Sequence, residues 1–163
     1  MSKSKILGII ALIAFAMGMV LVGNAVAGEK VKCRCVWHAT KWEQTNVGND
    51  KDHLIGLSEC KGIVSNLQGR TFGEGWLSWS TGLWDISPEK QITANGYLAF
   101  GDRDGHMIYM RYEHKPYAPN RWAFFKGTGK FEGIEGKGTC SIVFAGNPRQ
   151  SYIEWEGEVE LPR

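Results

Sequence analysis

The stretch 151–161, Ser-Tyr-Ile-Glu-Trp-Glu-Gly-Glu-Val-Glu-Leu, alternates between acidic and apolar residues along almost its whole length. Successive side chains of a strand point to opposite faces. A period of two therefore puts Ile153, Trp155, Val159 and Leu161 on one face, and Tyr152, Glu154, Glu156, Glu158 and Glu160 on the other. A helix would scatter these acids around its axis, so the pattern specifies a strand with one buried and one wet side. The glutamates form a solvent-facing row, and same-face neighbours on one strand make a poor acid–base dyad.

The same period recurs through the chain. It predicts strands at 31–45, 54–64, 76–86, 97–102, 106–114, 121–126, 138–145 and 151–161. Turn chemistry separates them. Residues 46–52 are rich in Gly, Asn and Asp, Ser87-Pro88 stops the third strand, and Asn95-Gly96 opens the fourth. Asp104-Gly105 reads as a two-residue type I′ hairpin turn, which needs positive φ at both positions. Residues 115–120 carry two prolines, and Asn147-Pro148 marks the last turn. Eight strands in one domain are expected to close into an antiparallel β-barrel, because closure removes unpaired edges.

Residues 1–27 read as a secretory signal peptide. Lys3 and Lys5 precede an uncharged apolar run at 6–22, and Asn24-Ala25-Val26-Ala27 gives the A-x-A spacing of a cleavage site. A run of this length lies at the short limit for a membrane-spanning helix. The expected mature protein is one domain, 28–163, exported to the periplasm or beyond. Cleavage removes two lysines and no acid, so the 19 Lys and Arg of the precursor come level with its 17 Asp and Glu. No basic stripe is left to bind nucleic acid.

Candidate functional residues fall into three groups. The seven tryptophans are accompanied by many Tyr and Phe. Most are expected to fill the barrel, with Trp37, Trp76 and Trp84 as candidate lining for a small apolar or aromatic ligand. Glu59 is the candidate catalytic acid. If it shares an inward face with Ile55, Leu57, Lys61 and Ile63, a Glu among apolar neighbours is expected to have a raised pKa; if Gly56, Ser58, Cys60 and Val64 face inward instead, Glu59 and Lys61 lie in solvent. Cys33, Cys35, Cys60 and Cys140 are an even count, expected to form disulfides after export. Cys33 and Cys35 share one side of a strand, so each is better placed to meet Cys60 or Cys140. A C-x-C metal site completed by Cys60 or a histidine lacks the usual paired spacing. Neither a haem motif nor a phosphate-binding glycine loop is present, and no serine sits in a nucleophile elbow. No cofactor or metal is expected.

The passage Gly127-Thr-Gly-Lys-Phe-Glu-Gly-Ile-Glu-Gly-Lys-Gly-Thr139 resembles the G-x-G-x-F-x-G-x-x-G signature of the allene oxide cyclase and dirigent superfamily. The hairpin Tyr97-Leu-Ala-Phe-Gly-Asp-Arg-Asp-Gly-His106 is similar to the D-x-D-G hairpin of the same group. The resemblance implies an eight-stranded barrel, with Phe131 as an apolar plug at one end. It also implies either ring closure by a carboxylate and a held water in an apolar lumen, or steering of phenolic radical coupling in an open cavity. The Glu, Asn and Ser-Pro of the cyclases have no counterpart between Cys33 and Leu57, and no dirigent acid set aligns. Three functions therefore stand as expectations: a binder of a small apolar or aromatic ligand, an isomerase, cyclase or stereochemical guide, and an envelope protein that oligomerises through the barrel wall.

Overall fold

A computed structural model describes residues 28–144 and 149–161; the signal-peptide reading of 1–27 lies outside them. The strands are β1 (Glu29–Val47), β2 (Asp50–Gln68), β3 (Leu77–Ile86), β4 (Ile92–Gly101), β5 (Met107–His114), β6 (Asn120–Gly127), β7 (Glu135–Phe144) and β8 (Gln150–Glu160). They form a closed antiparallel barrel in sequence order. Closure runs from Glu29 opposite Val159 to His38 opposite Gln150. The expected fold is the observed one, and β8 shows its faces as read for Ile153, Trp155 and Val159, which are buried, whereas Leu161 lies past the strand's end and is exposed. On the outer face Glu154 meets Arg34 and lies 3.3 Å from Lys32.

Four features differ from the sequence reading, one of them the start of β7 at Glu135 instead of 138. β1 and β2 extend towards each other until only Gly48 and Asn49 separate them. Their tips stand largely in solvent, so no buried face imprints alternation there. β4 begins at Ile92, and Asn95-Gly96 lies inside it, with Gly96 opposite Gly82. The Asn-Gly turn signal is overridden because Tyr112 needs the space: an ideal Cβ at Gly82 would come within 2.0 Å of its hydroxyl. The Asp104-Gly105 turn is not type I′. Gly105 has φ 84, while Asp104 is not among the non-glycine residues with positive φ. The Gly105 N–H donates to Asp102 O, and the Asp102 N–H donates to His106 O. This is a type I turn closed by a left-handed glycine, a longer hairpin loop.

One end of the barrel is shut. Loop 69–76 folds Phe72 into the core at 2% exposure. Phe72 packs against Trp76, Phe100 and Phe124 with ring centroids 6.3, 5.2 and 6.0 Å away. Phe131, on a short 3-10 turn at Gly129–Phe131, packs on Trp76 at 5.5 Å. It is the expected plug. The Asp102 carboxylate fastens it from outside, accepting hydrogen bonds from Asp104 N, His106 N, His106 Nδ1 and Lys130 Nζ.

Candidate functional site

The other half of the barrel is not filled. A cavity of about 240 Å³ lies there, and every strand contributes to its wall. β1 supplies Trp37, Ala39 and Trp42; β3 supplies Ser80, Trp84 and Ile86; β8 supplies Ser151, Ile153 and Trp155. Cys60, Tyr112, His114 and Cys140 complete its polar part.

Strand parity explains most of this set. Odd residues of β1 from Val31 to Ala39 point inward. Trp42 is even and would face solvent in an unbroken strand. A bulge intervenes: Ala39 opposes Cys60 while Lys41 opposes Glu59, leaving Thr40 as an extra residue. One inserted residue exchanges the two faces beyond it. The Thr40 hydroxyl donates to Glu59 O, and the Ala39 N–H donates to Arg149 O where β8 begins. Trp42 is thereby turned over the cavity and stacks on Trp84, with centroids 4.8 Å apart at 27°. Its place could not be read from alternation, because no sequence signal marked the bulge.

The wall chemistry is mixed, with Glu113 and Arg149 as its charged residues. Burial holds the Tyr112 phenol above its ordinary pKa, against the opposing hydrogen bond with Ser80, while the Cys60 and Cys140 thiols push it further up. Burial also raises the Cys60 thiol, and raises Cys140 to about 12. All three groups are neutral near pH 7. The Trp37 Nε1–H donates to Ser78 Oγ at 2.8 Å. Among the described residues, Trp84 Nε1, Trp155 Nε1 and His114 Nδ1 are buried without a partner. The carboxylate at the rim is Glu113, exposed and 2.7 Å from Lys115.

The sequence candidates divide accordingly. Trp37 and Trp84 line the cavity, whereas Trp76 belongs to the shut end with Phe72 and Phe131. Glu59 is exposed on the outer wall, because Ser58 and Cys60 take the inward places on β2. It is not in the lumen and cannot act on anything held there. Tyr112, Trp42, Trp155 and His114 were not singled out as site residues, although Tyr112 lies inward on the same alternation as Ile108 and Met110.

The cysteines are free thiols, so the disulfides expected from their even count are not present. Pairing register gives the reason. Cys35 opposes Val64, four residues along β2 from Cys60. At about 3.3 Å per residue that is about 13 Å, far beyond the ~7 Å limit between bridged Cα atoms. Trp155 stands between Cys33 and Cys140, pairing with each from opposite sides. Two strand spacings of about 4.8 Å also exceed the limit. Hydrogen bonding to Cys35, together with burial, keeps the Cys33 thiol protonated. The Asp102, Asp104 and His106 side chains lie close enough to share an ion. Asp102 is already saturated by four donors, so the cluster is explained as a hairpin clasp.

No family model matches this chain, and no curated protein matches it. Solved structures do. The structure of the pterocarpan synthase dirigent protein GePTS1 superposes with a TM-score of 0.52 at 12% identity, over 83% of this chain and 93% of that one. The pterocarpan synthase dirigent protein PsPTS1 gives 0.49 at 14% identity, over 84% and 98%. The barrel has the dirigent-like fold.

Proposed function

We propose that this dirigent-like barrel is an exported binder of one small, flat, largely apolar or aromatic molecule, held in the lumen beside Trp37, Trp84 and Trp155. The observation that carries the reading is the unfilled half-barrel of about 240 Å³ walled by rings. Apolar cavities of about 150 Å³ accept benzene. The volume therefore suits a single ring with short substituents, in keeping with the room an eight-stranded barrel leaves. Export rests on Lys3, Lys5, the apolar run and the Ala25-x-Ala27 spacing.

A second reading, a stereochemical guide or isomerase, is favoured by one observation. Tyr112 places a neutral phenol in the cavity wall, able to donate a hydrogen bond or proton to a bound oxygen. The shared fold with dirigent proteins supports this only as architecture, since one fold hosts many functions. Native mass spectrometry of protein purified from its own host tests the main reading. The expected result is a chain beginning at Gly28 with a non-covalent small-molecule adduct. A protein that emerges empty, and takes up no monocyclic aromatic at millimolar concentration, refutes binding; a retained residue 1–27 refutes export. Tyr112→Phe separates the two functions: a binder keeps its adduct, whereas a guide or isomerase keeps it but loses turnover.

A further inference from the structure

The outer wall of the barrel carries an apolar band in which cations far outnumber acids. Rows of paired residues cross it in register. Val36, Ile63, Leu77, Gly101 and Met107 form one uncharged row over β1 to β5. The next row runs His38, Lys61, Trp79, Ala99, Tyr109 and Lys126, again without an acid. In the third row Tyr97 pairs with Arg111, and Glu59 is the one carboxylate. Phe125 reaches over from β6, its ring 5.7 Å from Tyr97 and 6.2 Å from Tyr109. A hollow of about 300 Å³ lies among Trp79, Tyr97 and Tyr109, with the small side chain of Ala99 in its lining. Ile63, Leu77, Trp79, Tyr97 and Phe125 are each a third to three-fifths exposed. Side chains of this size show about 100 Å² each at such exposure, so the five present about 500 Å², within the range of apolar patches that mark interaction or membrane surfaces.

We propose that the outer wall of β3–β6, with Lys61 and Ile63 of β2 at its border, is a docking surface for an anionic lipid bilayer. The rings enter the interfacial layer, the hollow accepts part of an acyl chain, and Lys61, Arg111 and Lys126 meet lipid phosphates. Charge selects this occupant. None of these three cations has an ion-pair partner among the described residues, whereas Lys32 and Arg34, beside β8, are held by Glu154. A second copy docked about a two-fold axis would set the same cations against one another, with only Glu59 to offset them. The β8 wall of another copy offers Glu156, Glu158 and Glu160 but little apolar surface to cover the rings. A bilayer interface supplies hydrocarbon and negative charge side by side; Trp and Tyr concentrate there, and each nearby Lys or Arg adds about fivefold in affinity. The β8 glutamates keep the barrel on the bilayer rather than across it, because charges on an outer wall are costly in hydrocarbon. The band faces away from the lumen, so this role is independent of the ligand-binding reading.

The test is co-sedimentation of the mature protein, residues 28–163, with vesicles of pure phosphatidylcholine and of equimolar phosphatidylcholine and phosphatidylglycerol. Binding is expected to be at least about tenfold tighter to the anionic vesicles and to weaken as salt is added. Lys61→Gln combined with Lys126→Gln is expected to weaken it about twentyfold. Trp79→Ser combined with Phe125→Ser should abolish it, while Glu158→Gln on the acidic wall should not weaken it. Urea midpoints are compared in parallel, and if the ring variant unfolds early the lysine variant alone decides. Equal binding to both vesicle types, no binding to either, or binding untouched by the lysine variant overturns the proposal. So does light scattering that finds the mature chain in an oligomer dissociated by Trp79→Ser, which gives the wall to a second copy. None of these outcomes bears on the lumen ligand.

Discussion

Replacing Asp102 by asparagine keeps the side-chain shape and removes the charge. In the native protein this carboxylate is 2% exposed and lies 2.7 Å from Lys130 Nζ. Burial by itself would raise its pKa. Lys130, the N–H groups of His106 and Asp104 and the His106 ring outweigh that and bring it down from 3.8 to about 2. A gap of about 1.8 units corresponds to about 2.5 kcal/mol of folding free energy. Lys130 is half exposed, so solvent screening reduces this to about 1.5 kcal/mol. The folded-state pKa is the depressed one. The contribution is therefore complete above pH ~4 and is lost as pH falls towards 2, standing at about half near pH 3. Urea unfolding of the wild type and Asp102→Asn between pH 7 and pH 2.5 reads the effect directly. At pH 7 the variant is expected to be less stable by about 1.5 kcal/mol, a melting temperature about 5 °C lower, and the two curves should converge as pH falls. A constant gap across the range, or none at pH 7, would refute the charge-clasp argument. The clasp matters to the site because Lys130 precedes Phe131, which shuts the end of the barrel opposite the cavity.

Other consequences are as direct. Gly82→Ala sets a methyl within 2.0 Å of the Tyr112 hydroxyl and should cost about 1–3 kcal/mol in urea unfolding. Tyr112→Phe in the same background should recover part of that loss, and no recovery would place the strain elsewhere. Intact mass is expected to be the same with and without reductant, with Cys33 and Cys35 alkylated only on unfolding; a loss of protons on oxidation would mean the barrel pairs its cysteines by a rearrangement absent here. Glu59→Gln should change stability by less than about 0.5 kcal/mol, as exposed positions usually do, and leave calorimetric binding of a lumen ligand unchanged. A binding defect would contradict its position on the outer wall.

Much of the architecture was legible because it is written locally. A strict period of two fixed the two faces of β8, and repeated alternation with intervening turns fixed eight strands and hence closure. Phe131 was placed as a plug only through the resemblance of its glycine-rich passage to a known signature. The cavity was legible only in part. Trp37 and Trp84 obey the parity of their strands and were found, while Trp42 reaches the lumen through the Thr40 bulge, and a bulge is a property of pairing between β1 and β2. Gly96 looked like a turn because its reasons for being glycine, the Thr81 carbonyl and the Tyr112 hydroxyl, belong to other strands. Glu59 could have faced either way until Cys60 and Ser58 were seen to take the inside.

The chain by itself determined that it would be a closed antiparallel barrel, since face alternation and turn residues act between near neighbours. Only the tertiary structure decided what the barrel encloses and which cysteines can meet. Those outcomes depend on register and on bulges, where a shift of one residue exchanges inside for outside and a separation of one strand keeps two thiols apart.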